Sequence, residues 1–333
     1  MRSIHPLAAL VVGALALTGC GGDGGDGGDG GEPGVPLTAI TTENAAKVSA
    51  VAFQAARGLF FVASSATLPV GAVVQAGSGS TAGLGLVGAA ARQVKAATRR
   101  PLSPASGVVG AVYQDTYACT GGGTVTERID DADGNQDISV GDSLRLTFEN
   151  CVEDGVTSNG VLAWKVTTIS DASIGAKVTL GNFSSNDGTD LIEGDGGFDL
   201  TVTQNAGVSE VYQVAGDTLT SALNGDRHTV TGFTGSATTD AGTGAVTYAF
   251  AGRVNDSSQN VSVDVQTVAD FVAQQTDDFP SSGALRAIGA GNSQALLEAL
   301  SSTLVRISAD PEGDGSFTTP VEWSWSALEG LMD

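Results

Sequence analysis

The runs Val246-Thr247-Tyr248-Ala249-Phe250 and Val261-Ser262-Val263-Asp264-Val265, with Asn255-Asp256-Ser257-Ser258-Gln259-Asn260 between them, decide the fold class. Apolar side chains fall on every second residue of both runs. That is the period of a strand with one buried face. The cluster between them consists of residues that turn a chain. The unit recurs outward from here in Val161-Leu162-Ala163-Trp164-Lys165-Val166, Phe198-Leu200-Val202 and Val321-Trp323-Trp325. Clusters at 186–190, 205–209, 223–227 and 310–315 separate such runs. From Val108 onward the pattern predicts about a dozen short antiparallel strands.

A helix is predicted ahead of the strands. Thr41 and Asn44 stand at capping-box spacing, although the last place holds neither Glu nor Gln. Val48, Val51, Ala52, Ala55 and Leu59 then recur at helical spacing, and Leu59 to Ala63 is apolar all round. A Gly/Ala/Val stretch runs from Gly71 to Ala91, and a second, weaker helix is expected over Ala89–Arg99, stopped by Pro101. Two architectures fit: a large antiparallel meander curled into a half-barrel over the N-terminal helix, or a β-sandwich. The apolar helix favours the first, because it needs a concave apolar face. Aromatic residues are 5% of the chain, too few for the girdles of an outer-membrane barrel.

The N-terminus reads as an export signal. Arg2 precedes an apolar run from Pro6 to Leu17, shorter than the roughly 20 residues that span a bilayer. Leu17-Thr18-Gly19-Cys20 resembles the lipobox of bacterial lipoproteins. The resemblance implies cleavage before Cys20, a diacylglyceryl group on its thiol and an acyl chain such as palmitate on its amine. Gly21, where inner-membrane retention favours Asp, implies the outer membrane. Gly21–Pro36 is a Gly/Asp tether with no core-forming side chain. The expected organisation is a signal peptide at 1–19, lipidated Cys20 and tether at 20–36, a helical basic segment at 37–106 and a β domain at 107–333. The pieces at 119–126 and 148–155 are similar to β-rich envelope lipoproteins of Gram-negative bacteria, a group whose activity is not established.

Net charge is −22, which makes nucleic acid a poor partner. The charge is uneven. Asn44 to Gln114 holds no acid but six bases: Lys47, Arg57, Arg92, Lys95, Arg99 and Arg100. This segment is expected to pack on the acidic remainder rather than on lipid headgroups. In an oxidising compartment Cys119 and Cys151 are expected to form a disulfide.

Between those cysteines lies Asp131-Ala132-Asp133-Gly134-Asn135-Gln136-Asp137-Ile138-Ser139-Val140-Gly141-Asp142. Oxygen side chains fall at alternate places, as a cation seeking six to eight hard oxygens requires. The stretch resembles the calcium loops of EF-hands, and still more those of dockerins, which end in Asp. The match implies side-chain ligands from Asp131, Asp133, Asn135, Ser139 and Asp142, and the backbone carbonyl of Asp137. It departs at Gln136, where EF-hands place Gly, and its flanks look like strands. A plain polar turn is the alternative. Asp310–Gly315 is a shorter echo, read as a turn.

Catalytic signals are sparse. Beyond the signal, His228 is the one histidine, and it is expected on the surface of a strand. Asp190, Glu193 and Asp195 are neighbours in a Gly-rich stretch and read as a solvated turn. The expectation is a non-catalytic structural or binding module of the envelope, with no catalytic cofactor and a possible structural Ca²⁺. The alternative is a carrier or sensor of apolar ligands, similar in outline to periplasmic half-barrel carriers of lipoproteins. A hydrolase ranks last.

Overall fold

Fourteen strands form one antiparallel sheet in which each strand pairs with its sequence neighbours, so the order runs from β1 to β14 without a crossover. The computed structural model describes residues 35–60 and 111–332, apart from 154, 187, 189–190, 206–207 and 275–276. The strands are β1 Ala111–Ala118, β2 Thr124–Asp131, β3 Ser143–Glu153, β4 Val156–Ile169, β5 Ser173–Asn186, β6 Leu191–Asn205 and β7 Ser209–Leu223. They continue as β8 Asp226–Asp240, β9 Val246–Asp256, β10 Val261–Ala273, β11 Ser282–Ile288, β12 Gln294–Ala299, β13 Leu304–Asp310 and β14 Val321–Ser324. The meander is the architecture found, not the sandwich. It stays open, with β1 and β14 as its edges.

Alternation in the sequence becomes two faces. In β9, Val246, Tyr248, Phe250 and Val254 are buried, and in β10 so are Val261, Val263 and Val265. The turn Asn224-Gly225 joins β7 to β8 in two residues, both with positive φ, as a tight hairpin matched to strand twist requires.

The curl has a local cause. Register breaks fall between Phe148 and Cys151 in β3, Asn159 and Val161 and again Val166 and Thr168 in β4, Leu180 and Phe183 in β5, and Gly196 and Asp199 in β6, with further ones between Thr231 and Thr234 in β8 and Gln266 and Phe271 in β10. Asn150, Gly160, Asn182 and Gly196 take positive φ at these breaks. Side chains on neighbouring strands satisfy the freed amides. Asn150 N donates to Asn159 Oδ1 at 2.8 Å, and Asn182 N to Asp195 Oδ2 at 2.8 Å. Gly160 has no substitute, since a Cβ there would lie 2.1 Å from the Asn182 carbonyl oxygen. Bulges bend strands and raise their twist, so a row of them rolls the sheet into a trough.

Helix α1, Ala45–Phe60, lies in that trough against β7 to β13. Its start is a reciprocal cap: Thr41 N donates to Asn44 Oδ1 at 2.8 Å and Asn44 N to Thr41 Oγ1 at 3.3 Å. Asn44 therefore does the work that Glu or Gln does in other capping boxes. Every residue from Val48 to Ala56 is buried, as expected of a helix enclosed on all sides. Phe53 meets Phe271 and Trp325 at centroid distances of 5.5 and 4.5 Å. Arg57 sits 4.7 Å over the Phe279 ring and pairs with Glu329, so this member of the basic segment packs on the acidic part as expected. Arg92, Lys95, Arg99, Arg100 and the expected second helix lie outside the described residues.

The strand predicted through Trp325 stops one residue earlier. Ser324 accepts a hydrogen bond from Ala327 N and caps a short helix, α2, Trp325–Glu329, which buries Trp325. At the other end, residues 35–40 form a strap before α1. Thr38 N donates to Ser262 O, Ala290 N to Thr38 O, and Ile40 N to the Ser293 hydroxyl, at 2.8, 3.0 and 2.8 Å. Gly289 is required beneath it, since a Cβ would lie 2.1 Å from Thr38 O.

Candidate metal centre

Antiparallel pairing puts every turn that follows an even-numbered strand on one rim of the sheet. The longest turn there between β1 and β9 is Ala132–Asp142, which joins β2 to β3. Asp131 ends β2 inside the fold and Asp142 precedes β3, each about 1% exposed, while Asp133 is exposed. Carboxylate oxygens of Asp131, Asp133 and Asp142 lie within 4.8 Å of one another.

Backbone amides hold these groups in place. Asp131 Oδ1 accepts from Gly134 N at 2.6 Å and Oδ2 from Gln136 N at 3.1 Å. Asp142 Oδ1 accepts from Ala132 N, and Oδ2 from Ser139 N, both at 2.7 Å. The Ser139 hydroxyl is 3.1 Å from Asp142 Oδ2 and 3.2 Å from Asp133 Oδ2. Asn135 lies beside Asp133, with its amide nitrogen 3.0 Å from Oδ2, and its own Oδ1 accepts from Asp137 N at 2.7 Å. Gly141 N and the Asp142 carbonyl bond to Val166 on β4, which fixes the loop against a third strand.

Of the six residues expected to ligate, Asp131, Asp133, Ser139 and Asp142 come together, Asn135 adjoins them, and the Asp137 side chain stays exposed. The departure at Gln136 disappears in three dimensions. Its φ is 66°, the left-handed conformation that glycine would supply. Among the described residues no Lys or Arg forms an ion pair with the three carboxylates. The donor set is all hard oxygen, which suits Ca²⁺ and not a thiolate-seeking metal.

The echo at Asp310 repeats the backbone. Asp310 Oδ1 accepts from Gly313 N at 2.9 Å and Oδ2 from Gly315 N at 2.8 Å. Gly313 and Gly315 have φ of 69° and 89°, against 71° and 66° for Gly134 and Gln136. Its acids do not converge: Glu312 and Asp314 are exposed, and among the described residues they join no cluster of three carboxylates.

The cysteines pair as expected. Cys119 and Cys151 are bonded, with Cα atoms 5.4 Å apart, and close the chain segment that contains the acidic loop.

His228 is a correction. It is 4% exposed, not on the surface, because it shares the inward parity of Val230 on β8. Its Nδ1 lies 3.2 Å from Asp256 Oδ2. Burial alone would raise the Asp256 carboxyl. The adjoining His228 imidazole, with hydrogen bonds from the Ser258 hydroxyl and Gln259 N, outweighs that and holds it at about 2. Ser221 faces His228 across the β7–β8 ladder, so Ser221, His228 and Asp256 stand on three successive strands. No hydrogen bond joins Ser221 Oγ to the imidazole among the described residues, and a nucleophile is activated through that bond. The expectation of Asp190, Glu193 and Asp195 as a solvated turn is revised in part. Glu193 and Asp195 lie within β6, where Asp195 binds the Asn182 amide and Glu193 pairs with Arg227 at 3.3 Å.

No family model, no curated protein and no solved structure matches this chain.

Proposed function

We propose that this chain is a non-catalytic structural or binding module of the cell envelope, held on the outer membrane by acyl chains on Cys20. The observation that carries the reading is the filled trough. An unbroken buried run from Val48 to Ala56 occupies the space in which a half-barrel would bind substrate. The imidazole–carboxylate pair is sunk in the same packing, at 4% and 2% exposure. The fold thus invests its chemistry in holding itself together. Labelled palmitate should enter the protein, and Cys20→Ser should neither incorporate it nor fractionate with the outer membrane. Unchanged fractionation of that variant would overturn the reading.

The loop from Asp131 to Asp142 takes Ca²⁺ as a structural ion of the millimolar extracellular kind. Three convergent carboxylates, two of them buried and none paired with a cation among the described residues, support this. A Ca²⁺-dependent rise in melting temperature that Mg²⁺ does not reproduce is the expected result.

A further inference from the structure

Four cations on the sheet are placed where they repel one another. Arg128 on β2 stands directly opposite Arg145 on β3, and Lys165 on β4 directly opposite Lys177 on β5. All four are exposed, and they alternate with the buried Leu144, Leu146, Trp164, Val166 and Val178, so they share the outer face. Like charges that face each other across a ladder are destabilising. A net charge of −22 makes acid–acid neighbours such as Asp115 and Glu127 expected, but it does not account for cations side by side. Elsewhere in the sheet Arg227, Arg253 and Arg306 each meet a carboxylate, at 3.3, 2.8 and 2.8 Å. Arg145, Lys165 and Lys177 form no ion pair among the described residues. Fold rules are broken in this way where a site has another use for the residues.

Register joins the two pairs into one patch. Ser143 faces Lys165, so the lysines lie two residues along from the arginines and two strands across. Within each pair the Cβ atoms are about 5 Å apart. Strand spacing and rise put the centres of the two pairs about 12 Å apart. Acids close the patch at both ends: Asp130 meets Arg128 at 3.1 Å, and Asp199 stands opposite Lys177. Beyond β2, Asp133 and Asp137 are exposed.

These charges select a partner. Each pair of cations is balanced by one phosphate group, which carries roughly −1.5 to −2. Arginine offers a fork that holds phosphate oxygens two at a time, and lysine a point charge on a mobile stem. An extended polyanion or an anionic bilayer would also meet the acids at both ends, within the roughly 8–10 Å over which exposed charges still act. A compact anion meets the patch alone.

We propose that the outer face of β2 to β5 binds a compact anion bearing two phosphate groups about 12 Å apart, one seated on Arg128 and Arg145 and the other on Lys165 and Lys177. The ligand supplies the countercharge that the sheet withholds. The site goes beyond the envelope-module reading, since it needs neither lipid on Cys20 nor calcium.

The test is calorimetric titration of the full chain in non-ionic detergent, without added calcium. The probes are octane-1,8-diol bisphosphate, long enough to reach both pairs, and ethylene glycol bisphosphate, which has the same charge and reaches only one. The longer probe should bind about tenfold more tightly at low salt and lose its advantage at high salt. Arg145→Gln and Lys165→Gln should each remove that advantage. Neither residue has a carboxylate partner, so each change relieves a repulsion and should leave the melting temperature unchanged or higher. Lys165→Arg, which keeps the charge, should keep the binding, and so should Arg227→Gln on β8. Equal affinity for the two probes, or undiminished binding by both glutamine variants, overturns the proposal. Salt-sensitive self-association of the ligand-free chain, abolished by either glutamine variant, also overturns it, because the patch would then belong to an acidic surface of a second copy.

Discussion

Two loops of this molecule share a backbone and differ in what their side chains do. After β2, Asp131 draws in the amides three and five residues on; after β13, Asp310 does the same. Both aspartates are buried, and both loops place positive φ at the same two steps. Only after β2 do two further carboxylates close in, one of them Asp142 from the far side of the loop. A ring of amides around one aspartate is therefore a way to turn a chain. Convergence of acids from both ends of a loop is what a cation adds a reason for.

The contrast can be broken in several ways. The largest effect should come from the disulfide, which encloses the first loop and not the second. Cys119→Ser with Cys151→Ser should lower stability by roughly 3.5–4 kcal/mol, the chain-entropy value for a 32-residue separation. Denaturant titration reads the loss. If calcium holds the same segment, added Ca²⁺ should restore part of it.

Asp256 sets the scale for a buried aspartate with a partner that can be protonated. Its folded pKa, about 2, lies below the ordinary aspartate value, so its stabilising effect is present above that ordinary value and is lost as pH falls through 2. Asp256→Asn should cost about 2 kcal/mol near neutral pH and flatten the acid limb of a stability–pH curve between 4 and 2.

Asp131→Ala and Asp310→Ala should each cost about 1–2 kcal/mol without calcium, because each strips acceptors from buried-side amides. Calcium at ten times its Kd should add about 1.4 kcal/mol to the wild type and to Asp310→Ala, but nothing to Asp131→Ala. Equal calcium responses in the two variants would erase the distinction between the loops. The smallest effect is expected at the one positive-φ step where they differ in residue type. Gln136→Gly should stabilise by up to about 1 kcal/mol, because the left-handed φ of 66° strains a side chain that Gly315 does not have.

Much of this was legible in the residues. Period-two runs gave the strands, Asn224-Gly225 a hairpin, and Thr41 with Asn44 the start of α1. The row of bulges was written as Asn150, Gly160, Asn182 and Gly196, polar or small residues inside otherwise regular strands. Read singly they look like weak spots; their alignment is a property of register, which one sequence does not display. His228 was misplaced because a histidine near a turn was weighed by type and not by its parity with Val230. The acidic loop was found by spacing, but its main departure misled, since Gln136 adopts the conformation that its chemistry disfavours.

Sequential pairing also bears on the order in which the fold can assemble. Each hairpin joins neighbours in the chain, so the sheet can grow from local contacts without a long search. Helix α1 is the exception. It precedes every strand in the chain, yet the walls of its seat are β7 to β13, in the later half of the sheet. Until those strands form, a largely apolar helix waits without its partners. The interval before β13 forms is the period in which this polypeptide is most exposed to aggregation.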